Sequence, residues 1–195
     1  MAVRKSNGST TPQTIINSTL AVMAEEGFVN LTTKRISKHA EVSTATIHYF
    51  FDTKEKLIES AFAYLIRSTR EEMIKNRRTE SDPLKRIKKA IELNFSAPMQ
   101  LTKEAANYWP SLWISSLRKR SAKRLVHINS RRLISNFTYD IKLIGARPQD
   151  ARRHAITILA LVQGLWIEYR LDETVQLEPC LDIFDQYLQQ IINGA

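Results

Sequence analysis

The stretch TTKRISKHAEVSTATIHYFFDTKEKL, Thr32 to Leu57, decides the fold. It reads as two short helices joined by a tight turn, followed by the start of a third. Thr32 or Thr33 caps the first, because a threonine hydroxyl accepts from the backbone N–H groups that a helix start leaves without partners. Ile36 and Ala40 share one face of that helix, and the turn falls at Glu41 and Val42. Ser43 caps a second helix that runs to about Phe51. At roughly 100° per residue, Ile47, Phe50 and Phe51 gather on one side of it. Ala45, His48 and Tyr49 take the other side, with Thr44 and Thr46 on the flanks. An apolar side for anchoring and an outward side of small, hydroxyl and aromatic residues suit a helix entering the DNA major groove by its N-terminal end. Two packed amphipathic helices without a ligand fit the same pattern.

On the N-terminal side, Thr11-Pro12 gives a cap followed by proline at the first helical position, and Gly27 ends that helix after Glu26. Ile16, Leu20 and Met23 form its expected core stripe, sealed by Phe28 and Leu31. The residues before Thr11 are polar. Arg4 and Lys5 there suit either a phosphate contact or a solvated tail. On the C-terminal side, a long helix is expected from Lys54 to about Arg78, with Leu57, Ile58, Ala61, Phe62, Leu65 and Ile66 on its apolar face. Lys54 sits where helix N–H groups already favour an anion, so it is either a phosphate clamp or a solvated lysine.

Further helices follow at 3.6-residue spacing. Asp82-Pro83 opens one lined by Leu84, Ile87, Ile91 and Phe95 and closed at Ala97-Pro98. Thr102–Leu117 is expected to be helical, kinked or split by Pro110. Ser121–Ile144 has Leu125, Ile128, Leu133, Phe137, Ile141 and Ile144 as candidate inward residues, and Gly145 to Pro148 breaks it. The helix from Asp150 to about Leu171 is apolar on nearly every side and must be covered on more than one. The last, Pro179–Ile192, carries Leu181, Phe184, Leu188 and Ile191. Surplus apolar surface on these two helices points to a four-helix dimer interface through Leu161, Trp166, Phe184 and Leu188. Complete burial within one chain is the alternative.

Composition bounds the function. The net charge of +9 favours an anionic partner, yet residues 1–60 are only +1, so local geometry must carry the DNA argument. Seven cations and no acid lie between Arg118 and Arg132, which suits solvated surface, further DNA contact or an acidic partner. The single Cys180 excludes an intramolecular disulfide and fits a reducing cytoplasm. No apolar run is long enough for a membrane span, and no secretory signal opens the chain. No catalytic motif, metal-ligand cluster or Gly-rich phosphate loop stands out, so neither an enzyme nor a cofactor or metal is expected.

The chain resembles the TetR family of transcription regulators. VSTATIHYFF, Val42 to Phe51, followed by KEKL, Lys54 to Leu57, is similar to the family's recognition helix and fourth-helix start. IINSTL, Ile15 to Leu20, and EGFVNLTTKRIS, Glu26 to Ser37, are similar to its first two helices. Glu41 stands where the family usually has Gly, Ala45 often where it has Gly, and His48-Tyr49 where it has an aromatic pair. If the turn needs positive φ, Glu41 adopts it at some cost. The second half, in AANYWPSLWISS (Ala105 to Ser116), RLVHINSRRLISNF (Arg124 to Phe137) and QGLW (Gln163 to Trp166), resembles the BetI-type choline-responsive repressors.

These resemblances imply an all-α fold of about nine helices. A helix-turn-helix domain over residues 9–69, with the motif at about 32–51, would precede a ligand-binding and dimerisation domain over 70–195. They imply a homodimeric cytoplasmic repressor that contacts operator DNA through Thr32, Thr33, Ser43, Thr44, Ala45, Thr46, His48, Tyr49 and Lys54. The implied effector is choline, with control of choline-to-glycine-betaine genes. A quaternary ammonium has no N–H to donate and is held best by aromatic faces. Trp109 and Trp113, four apart, and Trp166 and Tyr169, three apart, are the candidate cage; ordinary core packing is the alternative for each. A regulator of another pathway with a different ligand, and a helical small-molecule-binding protein that does not bind DNA, remain the competing readings.

Overall fold

The computed structural model describes residues 11–28, 30–95, 108–172 and 174–194. Arg4 and Lys5, the helix end at Ala97-Pro98 and the start of the expected Thr102–Leu117 helix lie outside them. Among the described residues there are nine α-helices and no strand: α1 (Pro12–Glu26), α2 (Thr33–His39), α3 (Thr44–Phe51), α4 (Lys54–Thr79), α5 (Pro83–Phe95), α6 (Tyr108–Arg118), α7 (Arg120–Leu143), α8 (Pro148–Leu171) and α9 (Leu177–Asn193). None of them is long and apolar enough to cross a membrane. They form two compact units, residues 1–66 with 100–123, and residues 67–99 with 124–195.

In the first unit, side-chain caps set the helix starts. The hydroxyls of Thr11, Thr32 and Ser43 accept from the backbone N–H of Thr14, Arg35 and Thr46. The end of α2 is a Schellman turn: the Val42 N–H reaches the Ser37 carbonyl at 2.9 Å and the Glu41 N–H reaches that of Lys38 at 3.3 Å. Glu41 sits there at φ 54°, the left-handed region where a Cβ crowds the backbone. Glu41→Gly should therefore raise the unfolding free energy by about 0.5–1 kcal/mol. Urea denaturation checks this, and a destabilised variant would contradict the strain.

The core of this unit joins Leu31, Ile36, Ile47, Phe51, Leu57 and Phe62. Phe28 stacks on Phe62 at 6.2 Å, closing the connection after α1. Two expectations need correction. Leu20 and Met23 of the expected α1 stripe are buried, but Ile16 is half-buried, and Ile15 and Thr19, both fully buried, take its place. Thr19 enters the core because its hydroxyl donates to the Ile15 carbonyl at 2.8 Å, leaving an apolar surface. Phe50 is 37% exposed instead of anchoring α3, since it lies on the flank of the face defined by Ile47 and Phe51. Pro110 lies within α6, which is described from Tyr108 onward.

In the second unit, α5 packs against both α8 and α9, which also pack against each other. Asp82 caps α5, its carboxylate accepting from the Leu84 N–H at 2.8 Å. On α7, Leu133, Phe137 and Ile141 point inward, but Ile128 is 42% exposed. It lies about 140° around the helix from Leu133. At the end of α7 a second Schellman turn has Gly145 at its positive-φ position, with the Ala146 N–H on the Ile141 carbonyl. The polar centre of this unit is Asp140, 2% exposed. One of its oxygens accepts from Arg77 on α4; the other accepts from Nε and Nη2 of Arg86 on α5, at 3.0 and 2.7 Å. Arg86 also donates to the carbonyls of Glu80 and Ser81.

Candidate nucleic-acid interface

Helix α3 presents the outward residues. Ile47 is fully buried and Phe51 nearly so, which fixes the rotation of the helix. Tyr49 on the opposite side is 84% exposed, and Thr44, Ala45 and His48 are exposed with it. Thr46 is half-buried, its hydroxyl 2.9 Å from that of the capping Ser43. The Tyr49 ring meets Phe50 edge-to-face at 5.1 Å, so the half-exposed Phe50 braces it. His48 Nδ1 lies 2.9 Å from the Asp52 carbonyl. A carbonyl can only accept, so Nδ1 carries the proton, and in the neutral ring Nε2 is left as an acceptor.

The flanking residues set the ends of this surface. Thr32 is exposed at the start of α2, and Thr33 is half-buried. Lys54 is half-buried, and its ammonium donates to the Leu31 carbonyl at 3.3 Å, tying the start of α4 to the segment before α2. Two of its three N–H donors remain for an anion. Asp52 escaped the sequence reading. It ends α3 at φ 64° and ψ −55°, with the Thr53 N–H donating to the Phe51 carbonyl, a γ-turn that is strained for any residue with a Cβ, and Lys56 pairs with it across one helical turn. The hydrogen bond and charge of Lys56 hold the Asp52 carboxyl below its usual range.

The candidate effector residues fall into two pairs, one in each unit. Trp109 and Trp113 on α6 stack at 6.1 Å with 29° between their planes, and both are half-buried. On α8, Trp166 is 4% exposed and Tyr169 half-buried. Tyr169 meets Phe95 edge-to-face at 6.3 Å, and Phe95 meets Phe184 in the same way at 6.0 Å.

Within the single chain, the residues expected at the dimer face differ in burial. Trp166, Phe184 and Leu188 are covered by their own chain and Leu161 is half-buried. The apolar surface left on these helices consists of Ile156, Ala160, Gly164, Ile167 and Leu171 on α8 and Ile183 on α9. The five α8 positions advance by four, four, three and four residues, so they form one stripe within about 80° of arc. A Cβ built on Gly164 meets nothing within 4 Å.

Comparison with known proteins agrees with this architecture. Residues 15–61 match the bacterial regulatory proteins of the tetR family, and residues 83–193 match the C-terminal domain of BetI-type transcriptional repressors. The chain is 32% identical over 184 residues to the HTH-type transcriptional regulator BetI of Yersinia pestis, covering 93% of this chain and 92% of that protein. It is 30% identical over 183 residues to BetI 2 of Chromohalobacter salexigens, covering 92% and 87%. Among solved structures, a transcriptional regulator from Rhodococcus sp. Rha1 superposes with a TM-score of 0.82 at 19% identity, over 95% of this chain and 98% of that one. A Saccharomonospora viridis transcriptional regulator, solved in complex with choline, superposes with a TM-score of 0.79 at 23% identity, over 93% and 95%. The caps and turn around α3 and the sequence matches on both sides of α4 lead to one conclusion: the chain belongs to the TetR family of bacterial transcriptional regulators, with a C-terminal part of the BetI repressor type.

Proposed function

We propose that the protein is a homodimeric repressor that reads a palindromic operator with two copies of α3 and whose affinity for that operator changes when choline or a close trimethylammonium relative binds. The observation that carries the DNA part is the outward set of Thr44, Ala45, His48 and Tyr49, held over a buried Ile47. Those four reach base edges, while Thr32, Thr33, Ser43, Thr46 and Lys54 hold phosphates and set the register. A single recognition helix supplies too little affinity for a unique site, so two copies, one per half-site, are needed. The exposed α8 stripe with Ile183 is the surface on which the copies meet. Residues 9–69 and 70–195 divide the reading and sensing tasks.

Choline is supported by the BetI-type relatives, by the choline complex of the Saccharomonospora viridis regulator and by aromatic faces suited to a cation without N–H donors. Regulation further requires that the ligand bind the DNA-competent and released states unequally. One observation favours a different effector: Trp166 is almost wholly covered by its own chain, and Trp109 and Trp113 stack on each other, as packing residues do. Calorimetric titration of choline into wild-type protein and Trp113→Leu separates the two. Saturable binding that weakens by about tenfold or more in the variant, with unchanged melting, is the expected result. No saturable binding to wild-type sinks choline as the ligand. Binding without a change in operator affinity of at least a few fold makes it a passenger.

A further inference from the structure

The second unit holds a cluster of cations that neither operator reading nor effector binding uses. On α7, Arg131, Ser135, Thr138 and Lys142 advance by four, three and four residues, so they form one stripe about 16 Å long. Arg132 and Tyr139 flank the stripe, and Arg152 faces it from α8. Together with Ile134 they line an open cleft of about 570 Å³, in the size range of small-molecule sites. All the charged side chains lining it are basic.

The acids that could neutralise these cations are committed elsewhere. Asp140 is the single acid between Arg118 and Gln149, and both its oxygens are taken by Arg77 and Arg86. Asp150 pairs with Arg147 and Arg153. Among the described residues, Arg131, Arg132, Lys142 and Arg152 have no ion-pair partner. Arg132 is half-buried, and both that burial and the nearby Arg70 work against its charge. Like charges gathered around a concavity focus a positive potential into it.

We propose that this cleft binds a small anion carrying two or more phosphate groups. Three guanidinium groups supply the planar forks that match phosphate oxygens, Lys142 adds a point charge at one end, and the hydroxyls of Ser135 and Tyr139 add neutral donors. The guanidinium of Arg77 lies 5.5 Å from the Tyr139 ring centroid, which holds that ring in place. The length of the stripe favours separated charges over a single compact ion. A small ligand fits better than a nucleic acid duplex, because the cations surround a hollow, whereas a duplex offers its phosphates on a convex surface.

The test is calorimetric titration of sodium tripolyphosphate into the full-length protein at about 0.15 M ionic strength, where exposed charges more than about 8 Å apart are screened. One saturable site per chain is expected, with inorganic phosphate about tenfold weaker or more. The double variant Arg131→Gln/Lys142→Gln replaces two exposed residues, so it should keep the wild-type melting profile while losing roughly tenfold or more in affinity. Arg152→Gln, on the other helix, should also weaken binding. Absence of saturable binding, or unchanged affinity in these variants, overturns the site. So does a set of variants that weakens binding to operator-free duplex DNA while tripolyphosphate fails to bind, since the cations would then be a duplex backbone contact.

Discussion

Asp140→Ala lowers the unfolding free energy by about 3–5 kcal/mol, read by urea denaturation, because it leaves two guanidinium groups facing an interior without a counter-charge. Asp140 is 2% exposed, and the Arg86 side chain 10%. The carbonyls of Glu80 and Ser81 still accept from Arg86, but dipoles do not replace a carboxylate that took two of its N–H groups. Arg77, at 28% side-chain exposure, can turn to water, so most of the loss comes from Arg86. The three residues join α4, α5 and α7, and breaking the set loosens all three helices at once. Replacing the whole set, as Arg77→Leu/Arg86→Met/Asp140→Leu, should recover most of the stability, because burying ions is itself costly. A loss below about 1 kcal/mol in Asp140→Ala would show that the triad is solvated.

The second large effect is on assembly. Ala160→Glu should give a monomer at concentrations where wild-type is a dimer, and operator affinity should fall by roughly a hundredfold or more, since each half-site then binds alone. The residue is exposed in the single chain, so glutamate there leaves folding nearly unchanged and acts on association through a buried, unpaired carboxylate. Phe184→Glu does not separate the two effects: Phe184 is 1% exposed within its own chain, and the charge would disrupt that core. Gly164 points the same way. A helical glycine costs about 1 kcal/mol relative to alanine, and among the described residues nothing lies within 4 Å of a Cβ at this position. Close approach of a partner helix, as proposed, would give it a reason. Sedimentation equilibrium on wild-type and Ala160→Glu decides the matter; an Ala160→Glu protein that stays dimeric moves the interface off this stripe.

How much of this could be read in advance depended on the range of the interaction. Thr11, Thr32 and Ser43 cap helices through partners three residues away, so sequence reveals them. The positive φ of Glu41 was legible only through the resemblance, because Gly usually stands at that turn position in the similar family. Failures came where burial depends on elements far along the chain. Phe184 and Ile183 are equally apolar neighbours on α9, but α5 and α8 cover the first and leave the second exposed. Approximate helical spacing groups Phe50 and Ile128 with core residues, but Phe50 lies on the flank of the Ile47–Phe51 face and Ile128 about 140° from Leu133, and both are exposed. Arg77 and Arg86 lie 63 and 54 residues from Asp140, and nothing local marks the three as one group. The basic cleft was visible only in part, as a run of cations ending at Arg132. Lys142 and Arg152 join it because α7 and α8 place them there.

The central claim is that the outward face of α3 reads sequence. It is tested most directly by fluorescence anisotropy titration of wild-type and Tyr49→Ala on an operator duplex selected from a random pool, with a scrambled duplex alongside. Tyr49 is 84% exposed, so its loss should leave the melting profile unchanged. Operator affinity in Tyr49→Ala should fall to that for the scrambled duplex, while Lys54→Ala should weaken both duplexes alike and make the salt slope shallower by about one unit. A Tyr49→Ala protein that keeps the full wild-type preference for operator over scrambled DNA would contradict it.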